Sequence, residues 1–283
     1  MITVLFAVAV LAVLGALFGF VLAYASKVFA VETDPRQEAI IDALPGANCG
    51  GCGFAGCANY AESVVNGSAP CNKCAPGGAA AAEKIAAIMG VNVEHTERMV
   101  AFVRCAGGNR AATKYNYNGL DDCAADYASL GNGMHYCTNG CLGHGNCVKV
   151  CKFNAIHVID GVAVVDREEC KGCEACKNAC PKDMIVMIPY AARFAVPCHN
   201  VEKGAITRKF CEAGCMGCKL CEKKCPHGAI HIDHNLACID YSKCQHCGIC
   251  HDVCPRNLIK QFDEALPHIE PASEPTQQEN NNA

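Results

Sequence analysis

Cysteines at short, regular intervals dominate the second half of the chain. Residues 170–181 and 244–255 both follow the spacing C-x2-C-x2-C-x3-C-P. Bacterial ferredoxins use this spacing to bind cubane 4Fe-4S clusters, with three thiolates on one cluster and the fourth thiolate on its neighbour. The two runs therefore predict one-electron transfer chemistry.

Each strict run is preceded by another cysteine run, so the chain repeats one plan twice. Residues 215–226 form one of these earlier runs, and Cys137 to Cys151 form a looser one in which Lys152 replaces the proline. Eighteen residues separate the two runs in each half, which indicates a duplicated module. The crossing rule of ferredoxins gives four expected ligand sets: Cys137, Cys141, Cys147 and Cys180; Cys151, Cys170, Cys173 and Cys176; Cys215, Cys218, Cys221 and Cys254; and Cys225, Cys244, Cys247 and Cys250.

A fifth set lies nearer the N-terminus, in a glycine-rich segment. The spacing C-x2-C-x4-C-x16-C assigns Cys49, Cys52, Cys57 and Cys74 to it. Glycine lets the backbone approach a cubane closely and direct amide groups at its sulfurs. Cys71 is the alternative fourth ligand, but the Pro-Gly-Gly turn that follows Cys74 favours Cys74.

Six of the 26 cysteines lie outside these five sets. Four of them flank or separate the ferredoxin motifs and could bind a sixth cluster that shortens the electron's jumps between modules: Cys105, Cys123, Cys198 and Cys211. The alternative is that these are buried free thiols, which behave as small hydrophobes. The sequence thus predicts five 4Fe-4S clusters and leaves a sixth open.

Disulfides and structural zinc are the competing explanations for so many cysteines. Disulfides serve small secreted domains that lack a sufficient core, and a chain of 283 residues does not need them. Zinc sites use two C-x2-C pairs, whereas here three cysteines at two-residue intervals are followed by a fourth before proline. Iron–sulfur clusters explain the spacing best.

The N-terminus carries a different signal. Ile2 to Ala25 is a run of 24 mostly apolar residues without a charged side chain, longer than the roughly 20 needed to cross a bilayer. A cleaved signal peptide is disfavoured because no basic residue precedes the run. Lys27 and Arg36 follow it, so the positive-inside rule predicts a single pass with the N-terminus outside and the redox domains in the cytoplasm.

These elements predict an α+β chain with a single N-terminal transmembrane helix, a small helical 4Fe-4S domain and two tandem bacterial two-cluster ferredoxin-like domains. Asp34-Pro35 predicts the start of a helix that ends near Leu44, and residues 158–164 predict two short strands about an Asp-Gly turn. The expected boundaries are residues 1–27 for the anchor, 32–92 for the 4Fe-4S domain, 93–133 for a connecting segment, 134–190 for the first ferredoxin-like domain, 191–209 for a linker, 210–262 for the second ferredoxin-like domain and 263–283 for a disordered tail.

The order of the motifs adds to what each shows alone. The chain begins with an apolar helix. After it come, in order, the segment LPGANCGGCG at 44–53, Cys57, the segment CAPGG at 74–78 and the ferredoxin motifs. This order, over about residues 1–260, resembles the B subunit of the Rnf complex, in the longer form of anaerobes with two ferredoxin domains. The resemblance implies a bacterial inner-membrane complex that passes electrons from reduced ferredoxin to NAD and exports sodium ions or protons.

The residues themselves predict a relay without its own substrate-conversion site. No G-x-G-x-x-G after a strand and no P-loop lysine motif is present for NAD or ATP, and the apolar run holds no ionisable group for an ion pathway. NAD reduction and coupling therefore belong to partners. The resemblance implies other Rnf-type membrane and peripheral subunits, soluble reduced ferredoxin and membrane lipid, while no segment predicts nucleic-acid binding.

Two alternative functions follow from the same cysteines. The first is a polyferredoxin subunit of another anaerobic reductase or dehydrogenase. The second is a membrane-anchored redox sensor, which is disfavoured because the chain has no signalling segment. The formal net charge of −4 becomes more negative with clusters bound, because an oxidised cubane with four thiolates adds about two negative charges. Lysines beside the motifs either offset this charge and steer an acidic ferredoxin or are ordinary solvated side chains, and the sequence leaves both readings open: Lys149, Lys152, Lys171, Lys177, Lys182, Lys219, Lys223, Lys224 and Lys243.

Overall fold

The computed structural model describes residues 2–28, 34–94 and 96–262, with side chains of the first helix described for residues 12–25. That helix, α1, covers Ile2–Val28, and its described side chains are exposed except for the half-buried Ala25. The sequence predicts a membrane span here, but among the described residues no helix is both long and apolar enough to cross a bilayer. The predicted disordered tail, 263–283, lies outside the described residues.

Three helices build the small N-terminal domain: α2 (Pro35–Ala43), α3 (Cys57–Val65) and α4 (Gly78–Met89). The Asp34 side chain accepts a hydrogen bond from the Arg36 amide, so the predicted start of α2 is confirmed. Ile40, Tyr60 and Ile85, one from each helix, are buried together in its core.

The first ferredoxin-like domain follows β1 (Met99–Val103), a 3-10 turn (Gly108–Arg110) and α5 (Cys123–Tyr127). It consists of α6 (Asn146–Lys149), β2 (Ile156–Ile159), β3 (Val162–Val165), α7 (Ala175–Ala179) and β4 (Ile185–Pro189). The antiparallel β2–β3 pair turns at Asp160 and Gly161, both with positive φ, and so the predicted hairpin is confirmed.

The second ferredoxin-like domain repeats this order after β5 (Phe194–Ala195) and α8 (Gly204–Phe210). Its elements are α9 (Leu220–Lys224), β6 (Ile230–Asp233), β7 (Leu236–Ile239), α10 (Ile249–Asp252) and β8 (Lys260–Gln261). The strands β6 and β7 form the counterpart of the first hairpin.

The segments expected to be connectors instead complete the two domains. Strand β1, from the expected connecting segment, pairs antiparallel with β4, and β5, from the expected linker, pairs antiparallel with β8. Each domain therefore pairs its last strand with a strand that precedes its cysteines.

The end of the second ferredoxin-like domain packs into the core of the first. Phe262, which follows β8, is buried in the core of the first domain, where its ring lies edge-on to Phe102 at 5.8 Å. The Arg167 guanidinium stacks on the same ring at 3.9 Å from its centroid. These contacts fix the relative position of the two domains.

Candidate iron–sulfur sites

Small cavities lined by four cysteines recur through the molecule. Three of them have linings that coincide with expected ligand sets: Cys49, Cys52, Cys57 and Cys74; Cys215, Cys218, Cys221 and Cys254; and Cys225, Cys244, Cys247 and Cys250. Cys71, the alternative ligand of the first of these sets, is buried in the core of the N-terminal domain and does not line the cavity.

The expected set of Cys151, Cys170, Cys173 and Cys176 is also brought together. Burial raises the pKa of the Cys176 thiol to about 12, and the neighbouring Cys170, Cys173 and Cys151 thiolates add to this shift. The Ala101 amide of β1 donates to Cys170 Sγ at 3.4 Å. The strand that the sequence did not predict thus supports this set.

The first ferredoxin set differs from the expectation at one cysteine. The cavity there is lined by Cys141, Cys147 and Cys180 together with Cys123, in place of Cys137. Burial raises the pKa of the Cys147 thiol to about 12, and Cys141, Cys123 and Cys180 are among the thiolates that add to the shift. The structure therefore brings Cys123 into the first domain.

Cys137 lies instead with three of the cysteines that remained outside the ferredoxin runs. Burial raises the pKa of the Cys137 thiol to about 12, the Asn139 amide opposes this shift, and the Cys105, Cys198 and Cys211 thiolates add to it. A Cβ atom on Gly107 would lie 3.5 Å from Cys211 Sγ and 3.6 Å from Cys105 Sγ. We call Cys105, Cys137, Cys198 and Cys211 the central set.

One hydrogen bond recurs at the last cysteine of all four ferredoxin runs. The amide four residues later donates to the cysteine Sγ, at 3.4–3.5 Å, in the pairs Ala155–Cys151, Met184–Cys180, Ala229–Cys225 and Leu258–Cys254. Such bonds stabilise a thiolate and tune a bound cluster. At Cys225, burial acts to raise the thiol pKa. The pKa is nevertheless lowered from its usual value by hydrogen bonds from four backbone amides, those of Ala229, His227, Ile230 and Gly228.

The donor chemistry fits iron–sulfur clusters. All 26 cysteines lie in the described residues and all are free thiols. Within the described part of the chain, no group of three or more His, Cys, Asp or Glu side chains is arranged to hold a single metal ion. Four soft thiolates around a cavity, with amides directed at the sulfurs, suit a cubane. Another, wider cavity is different, because Phe102, Arg110, Arg167 and Lys260 help to line it and Cys105 is the one cysteine in its lining.

The N-terminal domain is packed against the first ferredoxin-like domain at two cysteine sets. A Cβ atom on Gly51 would lie 2.5 Å from the Cys173 carbonyl oxygen, and Cys49 is among the thiolates that raise the pKa of Cys173, a shift due mainly to burial. Lys152 donates to the Asn48 carbonyl at 2.8 Å. Only glycine permits this approach of the two backbones.

Three family models match at these cysteine segments. An Fe-S cluster model matches residues 44–76, a 4Fe-4S binding domain matches residues 163–186, and a 4Fe-4S dicluster domain matches residues 214–258. The mixed helix and strand fold with ferredoxin-type domains, expected from the sequence, is confirmed.

Relatives extend the similarity over most of the chain. The B subunit of the Na(+)-translocating ferredoxin:NAD(+) oxidoreductase complex of Acetobacterium woodii is 45% identical over 258 residues, which is 90% of this chain and 77% of the relative. The chain belongs to the Rnf B-subunit family. The B subunit of the ion-translocating oxidoreductase complex of Methanosarcina acetivorans is 43% identical over 89% of this chain and 96% of the relative. The B subunit of the proton-translocating ferredoxin:NAD(+) oxidoreductase complex of Clostridium ljungdahlii is 41% identical over 91% of this chain and 92% of the relative. The resemblance inferred from the motifs is confirmed.

Proposed function

We propose that this Rnf B subunit is the multi-cluster electron relay of an ion-translocating ferredoxin:NAD oxidoreductase. It accepts electrons from reduced ferredoxin and hands them to partner subunits, which reduce NAD and export sodium ions or protons. The observation that carries the proposal is the series of four-cysteine sites from Cys49 in the N-terminal domain to Cys247 in the second ferredoxin-like domain. When bound there, 4Fe-4S clusters accept and release single electrons.

The residues around the sites support a relay. The cysteine thiols bind iron as thiolates, and all of them except Cys218 and Cys247 are buried or half-buried. The amide donors at the last cysteine of each run hold the sulfurs in place and favour the charged ligand. The contact of Gly51 with Cys173 keeps two sites adjacent across a domain boundary, which suits electron transfer between them.

Exposure supports the second ferredoxin-like domain as the surface that receives electrons. Cys218 and Cys247 are exposed, and every other cysteine of the chain is buried or half-buried. Lys219, Lys223 and Lys224 are exposed beside Cys218 and Cys221. A positive surface at an exposed site speeds encounter with an acidic partner such as a ferredoxin.

The apolar sequence of α1 supports membrane attachment at the other end of the chain. We propose that residues 1–27 anchor the subunit in the lipid of the cell membrane, with the N-terminus outside and the redox domains in the cytoplasm. The reducing cytoplasm preserves thiolate ligands, whereas an oxidising compartment converts them to disulfides.

Anaerobic purification of the tagged protein from its native membranes tests the proposal. Co-purification with integral membrane flavoproteins and NAD reduction driven by reduced ferredoxin are the expected results. Recovery with a soluble reductase or dehydrogenase instead would establish the polyferredoxin alternative.

A further inference from the structure

We propose that the central set binds a sixth 4Fe-4S cluster between the two ferredoxin-like domains, and that Cys123 replaces Cys137 as a ligand in the first domain. The proposal rests on the relay function, because it adds a site to the same electron path. It differs from the expectation in the ligands of both sites: Cys137 and Cys123 exchange places.

The spacing of the two halves supports the exchange. Counted back from Cys151 in the first half and Cys225 in the second, cysteines recur four, ten and fourteen residues earlier in both. The residue fourteen positions earlier is Cys137 in one half and Cys211 in the other. Since Cys211 lies outside the four-cysteine cavity of the second domain, its counterpart Cys137 is expected to lie outside that of the first.

The same register shows why the first domain needs Cys123. Seven residues before Cys225 stands the ligand Cys218, and seven residues before Cys151 stands His144. The His144 ring is held by two carboxylates, with Nδ1 2.9 Å from Asp121 Oδ1 and Nε2 3.2 Å from Asp126 Oδ2. Both aspartates flank Cys123 in sequence, so the contacts that engage His144 bring the replacement thiol to the cavity.

The backbone brings Cys137 and Cys211 to the same place. The Ala112 amide donates to the Phe210 carbonyl at 2.7 Å, and the Tyr136 amide donates to the Ala112 carbonyl at 2.9 Å. Ala112 therefore joins the residue before Cys211 to the residue before Cys137. On the other side, the Cys141 amide donates to Cys105 Sγ and the Cys215 amide donates to Cys198 Sγ, both at 3.4 Å.

Two thiols of the central set accept a hydrogen bond from the amide two positions later. Gly107 donates to Cys105 Sγ at 3.3 Å and Asn200 donates to Cys198 Sγ at 3.5 Å. At Cys137 and Cys211 burial raises the thiol pKa, and the Asn139 and Ala213 amides, again two positions later, oppose that rise. Amides that act on four thiols of four separate segments indicate a built site, since buried free thiols do not require amide donors.

The halves also contribute equivalent ligands. Cys105 follows β1 and Cys198 follows β5, the two strands that complete their domains, and Cys137 and Cys211 are equivalent in spacing. The duplication thus supplies two ligands from each half to one site at their boundary. A cluster there joins the electron paths of the two domains.

Pairs of substitutions in the full-length holoprotein test the ligand sets. Anaerobic native mass spectrometry of the unaltered protein is expected to give about 24 irons per chain. Cys105→Ala combined with Cys137→Ala is expected to leave about 20, because both remove the same cluster, whereas Cys105→Ala combined with Cys123→Ala is expected to leave about 16. The reverse pattern would overturn the exchange, and about 20 irons in the unaltered protein would overturn the sixth cluster while leaving the five-cluster relay intact.

Two further arms keep the test decisive if alanine variants lose all iron. Single serine variants of Cys105 and Cys137 are expected to alter one EPR signal of the reduced protein, and those of Cys123 and Cys180 a different one. Adding His144→Cys is expected to restore the cluster lost in Cys123→Ala but not the cluster lost in Cys137→Ala. Rescue of Cys137→Ala alone would contradict the proposal.

The matched control is Cys238→Ala, because Cys238 belongs to none of the ligand sets. This variant is expected to keep about 24 irons.

Discussion

The two ferredoxin-like domains share a plan but differ in how they surround their cysteines. The first domain has an added segment with α5, has His144 where the second has Cys218, and has no exposed cysteine. The second domain keeps the stricter motif and exposes Cys218 and Cys247. This difference favours the proposed division of roles, in which the first copy conducts electrons inside the protein and the second copy receives them from a partner.

The largest expected effect comes from removing a cluster in each copy. Cys221→Ala in the second domain is expected to abolish fast reduction of the protein by ferredoxin, because its site includes the exposed Cys218 beside Lys219, Lys223 and Lys224. Cys176→Ala in the first domain is expected to leave this first phase intact and to stop reduction of the N-terminal site. Stopped-flow bleaching of cluster absorbance measures both phases. Equal loss of the fast phase in both variants would remove the functional distinction between the copies.

The charges beside the exposed site give the next largest effect. Replacement of Lys219, Lys223 and Lys224 by glutamate is expected to slow association with ferredoxin about tenfold or more at low salt, with the difference shrinking as salt rises. Lys84→Glu, at an exposed lysine of the N-terminal domain away from the cysteine motifs, is the control for a charge reversal elsewhere and is expected to change the rate little. An unchanged rate in the triple variant would place the ferredoxin contact elsewhere.

The next prediction concerns electron transfer between the first ferredoxin-like domain and the N-terminal domain, which are in close contact at Gly51. Gly51→Ala is expected to push the N-terminal domain away from Cys173, since the added Cβ would lie 2.5 Å from a carbonyl oxygen. The iron content should stay unchanged, while electron transfer from the first domain to the N-terminal site slows about severalfold. Ala55→Val, at an exposed position of the same loop, serves as control. Unaltered transfer in Gly51→Ala would show that this contact does not set the rate.

The smallest expected effect is a difference in pH dependence. A thiol must lose its proton to bind iron, so a raised thiol pKa weakens cluster binding as the pH falls. Burial raises the pKa of Cys147 and Cys176 in the first domain to about 12 and that of Cys250, which shares the site of Cys225, to about 11. At Cys225 itself burial acts in the same direction, but four amide donors lower the thiol pKa overall. After a chelator challenge, the first domain is therefore expected to lose more iron at a pH of about 6.5 than at about 8.5, with a smaller difference at the Cys225 site. Site-resolved Mössbauer or EPR spectra measure this, and a steeper loss at the Cys225 site would contradict it.

Local patterns predicted much of the fold and of the sites. The hairpin at Asp160-Gly161 and the start of α2 at Asp34 depend on neighbours in sequence, so residue types alone indicate them. Strands β1 and β5 were missed because their partners, β4 and β8, are distant in the chain and both segments lie between recognisable motifs. The placement of Cys137 and Cys123 was missed for a different reason. Cys137 precedes Cys141 at a spacing that resembles a ferredoxin run, and only alignment of the two halves from Cys151 and Cys225 reveals its counterpart.

The hydrogen bonds from backbone amides to the last cysteine of each run lead us to expect that the lifetime of the protein depends on the supply of iron. Ala155, Met184 and Ala229 donate these bonds from the position just before β2, β4 and β6. Leu258, which is buried in the core of the second domain, donates the fourth bond two residues before β8. In a chain without iron, the half-buried thiols at these points are neutral and lack their iron–sulfur bonds. The starts of the strands are then held less firmly and are expected to open first. Proteases act on such opened states. Cells short of iron are therefore expected to clear this protein quickly, which keeps unfilled relays out of the membrane complex.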